Sequence, residues 1–161
     1  MTRAAATLEI ELLNLALYDT EAAAIVAWAD AFGVYFANAT TAVGGPILAP
    51  GLATAKAAMA LGLAGLSTGG AAAIASGVSA FWLAGVGAPV TWWAAASLIV
   101  PPVALTALQA QLETTFTQNI DEEASKATSM QRIADNIHTA CTGTATDGTA
   151  TFPGPIVSPI L

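Results

Sequence analysis

Between Ala57 and Leu112 the chain contains no Asp, Glu, Lys or Arg. This third of the protein reads AAMALGLAGLSTGGAAAIASGVSAFWLAGVGAPVTWWAAASLIVPPVALTALQAQL. A water-facing surface normally carries charge, so most of the stretch has to be shielded by its own fold, by partner subunits or by lipid. The rest of the chain does not compensate. Charged residues are 9% of the 161 and hydrophobic ones 55%, whereas about a quarter of an ordinary soluble domain is charged. The apolar excess is mostly Ala and Gly, and no motif in the chain specifies a reaction.

The length suits one domain with a sizeable core. A net charge of −7 and a pI near 4.2 argue against nucleic acid and against anionic headgroups, which both favour basic patches. Cys141 is the single cysteine, so no internal disulfide is expected. Glu9 and Glu11 come before any long apolar run. That makes a poor secretory signal, and cytoplasmic synthesis is expected.

Periodicity predicts helices along most of the chain. Thr2 or Thr7 opens the first, with Leu8, Leu12 and Leu15 on one face. Asp19 or Thr20 caps a second, to about Ala39, carrying Ile25, Trp28, Phe32, Tyr35 and Phe36 at helical spacing. The segment 40–52 is a Gly/Pro-punctuated loop. A third helix over about Ala53–Leu66 has Met59, Leu63 and Leu66 in register, and Ser67-Thr68-Gly69-Gly70 breaks it. The next runs to Val86 with Ile74, Val78, Phe81 and Trp82 along one side. A short helix containing Trp92 and Trp93 runs into Pro101-Pro102. Leu105, Leu108, Leu112, Phe116 and Ile120 form another stripe. The last helix begins at Asn119 or Asp121, with Asp121, Glu122 and Glu123 at its positive end. It pairs Glu122 with Lys126 at i,i+4 and buries Ala127, Met130, Ile133, Ala134 and Ile137.

The tail changes character. Residues Thr142–Phe152 alternate with period two about Asp147-Gly148, which predicts a hairpin placing Thr146 opposite Thr149 and Thr144 opposite Thr151. Pro153, Pro155 and Pro159 hold the end extended, and Phe152, Ile156, Val157, Ile160 and Leu161 are too apolar for a free tail. The expected fold class is therefore mainly α. A compact domain of about six helices occupies residues 1–141, and 142–161 forms a short β-hairpin and an extended arm packed on that domain or on a neighbour.

Lipid is one candidate shield. Lys56 precedes the uncharged stretch and Lys126 and Arg132 follow it, as for a hairpin with both ends in the cytoplasm. Trp82, Trp92 and Trp93 suit an interface, and Gly65-x-x-x-Gly69 is a small-residue helix contact. Length stands against it. A span needs about 20 consecutive apolar residues, and Ser67–Gly70, Gly87–Pro89 and Pro101-Pro102 cut the stretch into shorter pieces whose exposed backbone is costly in hydrocarbon.

Protein partners are the other candidate shield. The succession WADAFGVYF, a Gly/Pro-rich loop, AFWLAGVGAP, VPP and IHTACTGTATDGTATFPGPI, over roughly residues 28–156, resembles in layout small Ala/Thr-rich proteins encoded with phage-like tail and virion genes. The resemblance implies a structural component of a particle, tail or filament, and carries no catalytic residues over. On this reading the chain is a non-enzymatic subunit, a homo-oligomer or a member of a mixed assembly. Its contacts are Trp82, Trp92, Trp93, Phe152, Ile156, Val157, Ile160 and Leu161. The alternative is a small membrane-inserting helical hairpin, holin-like or pore-forming, that uses residues 57–112 in the inner membrane.

The remaining constellations have simpler readings. His138 and Cys141 lie i,i+3 on one helix face, half a metal site or half a nucleophile pair, but there is no other His or Cys to complete a zinc tetrahedron. Asp121-Glu122-Glu123 is a capping device before it is a cation site. Asn38-Ala39-Thr40 matches a glycosylation acceptor by chance. Gly44-Gly45 and Gly69-Gly70 lack the lysine and strand of a phosphate loop. No metal, cofactor or catalytic residue is expected.

Overall fold

A computed structural model describes residues 3–15, 18–39, 47–86, 92–93, 96, 98–142, 149–152 and 156–159. Its first helix, α1 (Arg3–Leu13), buries Leu8 and Leu12 completely, one turn apart. Thr7 lies inside α1 and therefore does not cap it. In α2 (Glu21–Ala37) the cap is Thr20, whose Oγ1 accepts from the Ala23 amide at 3.2 Å. Phe32, Tyr35 and Phe36 are buried on α2, with Ile25 and Trp28 partly covered at the same spacing.

The third helix, α3, is Ala49–Gly62, with Pro50 in its first turn. A first-turn proline gives up only an amide that has no partner inside the helix, so α3 begins earlier than Ala53. It also ends earlier than Leu66. Gly65 takes φ +81°, a left-handed conformation that costs glycine little, and its carbonyl accepts from the Gly69 amide at 2.8 Å. The fourth helix, α4, is Gly70–Val86 and buries Ile74, Val78, Phe81 and Trp82 as the spacing predicts.

After Pro102 a 3₁₀ turn (Val103–Ala107) leads into α5 (Leu108–Asp121), and α6 follows as Lys126–Cys141. Each helix packs on its neighbours in the chain, and α6 closes the ring against α1. The domain is compact and mainly helical, with six α-helices among the described residues.

The structure corrects the sequence reading at several places. The stripe of α5 is buried only as far as Leu112, with Phe116 packed against the core and Ile120 76% exposed. The start of the last helix is Lys126, because Ser125 supplies the cap, its Oγ accepting from the Thr128 amide at 3.2 Å. Asp121 therefore ends α5, and Glu123 turns the chain at φ +48°. With Glu122 and Lys126 in different elements, their i,i+4 pair is not made. The face of α6 holds Ile133, Ala134 and Ile137, with Met130 packed at its edge and Ala127 exposed.

Leu98–Val100 is a strand, β1, where a helix running into Pro101 was expected. The residue before a proline disfavours helix, and β-branched Ile99 and Val100 favour extended backbone. Strand β1 pairs antiparallel with β2 (Thr149–Phe152), in register Leu98 with Thr151 and Val100 with Thr149. The other edge of β2 pairs antiparallel with β3 (Ile156–Pro159), Phe152 facing Ile156. The order is β1-β2-β3. Both edges of β2 are thus taken, and the hairpin about Asp147-Gly148 is not the pairing that forms. Thr144, Thr146 and the turn lie outside the described residues. An apolar strand from mid-chain offers β2 a better partner than a threonine run.

Candidate functional site

The three tryptophans expected at a contact surface point inward. Trp82, Trp92 and Trp93 are fully buried. They surround Phe36, whose ring centroid is 5.2 Å from Trp82, 5.7 Å from Trp92 and 6.1 Å from Trp93, with Phe81 at 4.6 Å. The arrangements are mostly edge-to-face, which adds electrostatic attraction to area burial. A Cβ at Gly85 would stand 2.5 Å from the Trp92 indole, so the ring lies directly on the α4 backbone. Among the described residues the Nε1–H groups of Trp92 and Trp93 have no hydrogen-bond acceptor. Good ring packing must offset that desolvation.

Beside this cluster, α6 presents His138 and Cys141. The structure uses them separately. His138 Nδ1 is 3.0 Å from the Tyr35 hydroxyl, while Cys141 Sγ accepts from Trp82 Nε1 at 3.5 Å. Burial pushes the Cys141 thiol up to about 12, against a small opposing effect of the Trp82 bond. Burial also raises Tyr35 well above its ordinary value and lowers His138. A thiol held this far from its thiolate is a poor nucleophile. Among the described residues no group of three or more His, Cys, Asp or Glu could hold a metal ion.

Two carboxylates, Glu122 of the capping run and Glu21 at the start of α2, tie elements together. Glu122 accepts from Arg132 Nη2 at 2.6 Å and from Gln118 Nε2 at 2.8 Å. Those bonds, Arg132 first, hold its carboxyl below the usual range. Glu21 accepts from the Ser67 hydroxyl and from the Gly65 amide, and both lower its carboxyl. The cations that flanked the uncharged stretch are also engaged. Lys56 pairs with Asp30, Arg132 with Glu122, and Lys126 Nζ donates to the Leu13 and Leu15 carbonyls at 2.9 and 2.7 Å. Among the described residues no helix is long and apolar enough to cross a membrane. Gly65-x-x-x-Gly69 is a turn. The small-residue helix contact is made instead by Gly62, where an added Cβ would stand 2.8 Å from the Gly77 Cα.

What remains outward on the uncharged stretch is the outer face of α3 and α4. Ala57 and Leu61 of α3 are exposed, as are Ala72, Ser76, Leu83 and Val86 of α4. Leu61 is 81% exposed and Leu83 62%. Where the two helices meet their turn there is a depression of about 350 Å³, lined by Gly62, Ala64, Gly65, Thr68, Ala72 and Ser76, among others. Leu61 was not singled out from the sequence, although it falls off the Met59–Leu63–Leu66 stripe by helical spacing. That offset is the signal of an outward leucine. Of the tail residues expected to make contacts, Phe152 lies in β2 and Ile156 and Val157 in β3. Ile160 and Leu161 lie outside the described residues. Comparison with family models, curated proteins and solved structures finds no match to this chain.

Proposed function

We propose that this chain is a non-enzymatic structural subunit of a larger assembly built from copies of itself, of the virion, tail or filament kind that its layout resembles. The observation that supports this reading is the outer face of α3 and α4, which stays uncharged and partly apolar after the core is filled. Isolated exposed leucines are ordinary. Two of them on an uncharged surface of two helices, in a chain of net charge −7, are better explained by a protein contact.

Sedimentation velocity of the purified chain over a hundredfold concentration range, with negative-stain microscopy at the upper end, tests the reading. Oligomers or ordered particles that grow with concentration are the expected result. A monomer at every concentration would refute it.

A further inference from the structure

The assembly reading does not by itself say which surface joins two copies. We infer that two copies of this chain pair face to face through α3 and α4, each placing Leu61 in the other's depression between Gly62 and Ser76. The inference rests on the assembly reading and deepens it.

Charge selects the face. Among the described residues, the acidic side chains belong to α1, α2, α5, α6 and the turns beside α2 and α5. Of these, α2 and α5 carry no cation, so copies meeting through them bring like charges together, an arrangement that is destabilising across an interface. The outer residues of α3 and α4 add none. Lys56 lies at the α2 side, its stem over Gly33 and its ammonium on Asp30. Glu21 reaches the α3–α4 turn from α2, with its carboxylate already bound by Ser67 and Gly65.

Shape selects a copy of the same chain as the occupant. The face carries both a projection and a hollow. Leu61 stands next to Gly62, whose own position lines the depression. On α4, Ala72, Ser76 and Leu83 recur at helical spacing on the exposed side. A surface with a knob beside a hole can meet itself across a two-fold axis, with knob into hole made twice. The hollow is preorganised, because Gly62 lets α3 rest on the Gly77 backbone and the walls are backbone, methyl and hydroxyl groups. Little side-chain freedom is lost when it fills.

Area sets the strength. Two helices of this length present a face of about 25 by 20 Å, roughly 500 Å² per copy. Both copies together bury roughly 1,000 Å², the lower edge of specific interfaces. The pair is accordingly at the weak end of specific association.

Sedimentation of the full chain carrying Leu61→Lys or Ser76→Glu tests the arrangement. Both positions are exposed, and unchanged circular dichroism and melting verify the fold. Each variant alone should dimerise at least about tenfold more weakly. An equimolar mixture should recover pairing, because one contact is then native and the other sets the new lysine against the new glutamate. Wild-type-like dimerisation of the single variants would overturn the inference and leave the assembly reading standing. So would a mixture that stays as weak as its components. A wild-type chain that never associates would sink the assembly reading itself.

Discussion

Two adjacent helix pairs of this ring are held by different physics. Helices α3 and α4 approach until a Cβ at Gly62 would sit 2.8 Å from the Gly77 Cα and 2.8 Å from the Ser76 carbonyl. Helices α5 and α6 are laced by polar side chains. Arg132 Nη1 donates to Asn119 Oδ1 at 2.9 Å, its Nη2 to Glu122, and Asn136 Nδ2 to Thr115 Oγ1 at 2.6 Å. Steric fit tolerates no added volume but is indifferent to salt and pH. Polar lacing tolerates changes of size but depends on ionisation and on every partner being present. The α3–α4 contact is therefore made by close packing, with Glu21 of α2 holding its turn, and charge gathers where α5 and α6 need it.

The largest effect should come from Trp82→Ala on the inner side of α4. A fully buried indole packed on Phe36 and bonded to Cys141 would be replaced by a cavity, costing about 3–5 kcal/mol. Melting should fall by about 10 °C or more. Alkylation supplies a second readout, since Cys141 in the intact protein is buried with its thiol at about 12 and should stay unlabelled. In the variant it should label readily. A shift of under about 2 °C would mean that the ring cluster is not the core.

Gly62→Ala sharpens the contrast, because its sign discriminates. In an ordinary helix position the substitution stabilises by about 0.5–1 kcal/mol. Here the methyl meets backbone, and forcing the helices apart should destabilise by about 1–3 kcal/mol. A rise in melting temperature would show that the close approach is not maintained in solution.

On the polar side, Asn136→Ala removes the partner of Thr115, a polar residue buried in the core. Stranding that hydroxyl should cost about 1–2 kcal/mol. Adding Thr115→Val should return part of the loss, so a double-mutant cycle on urea unfolding measures the coupling. Strict additivity would deny it.

The smallest effect belongs to Glu122, which is exposed and held below its ordinary value of 4.5 by Arg132 and Gln118. A carboxyl lowered in the folded state stabilises above its unfolded value, and that contribution is lost as pH falls through the folded value. The wild type should therefore melt slightly above Glu122→Gln at pH 7, and the gap should close as pH drops below 4.5. Salt at about 1 M should close it too. A gap that widens in acid would have the wrong sign for this pair.

Much of the helical layout was legible in the chain. Thr20 ahead of Ile25, Phe32 and Phe36 marked α2 and its buried face, and Ile74, Val78, Phe81 and Trp82 marked those of α4. Helical periodicity is local, and one turn of sequence contains the information. The end of α3 was legible only coarsely: a break was expected at Ser67–Gly70, whereas the helix stops at Gly62 and Gly65 takes the left-handed φ.

Tertiary structure decided the rest. Three residues are too few for a period, so although Leu98–Val100 is locally disposed to be extended ahead of Pro101, its pairing as a strand depended on β2, some fifty positions later. The Asp121–Glu123 run reads equally well as the end of one helix or the start of the next, and Ser125 and Arg132 resolved it. The sequence by itself determined that residues 57–112 had to be shielded from water. That its rings are shielded largely by the chain's own core, leaving Leu61 and Leu83 outside, depended on which faces met across the ring of helices. Burial is a relation between distant segments, and no local pattern of residues contains it.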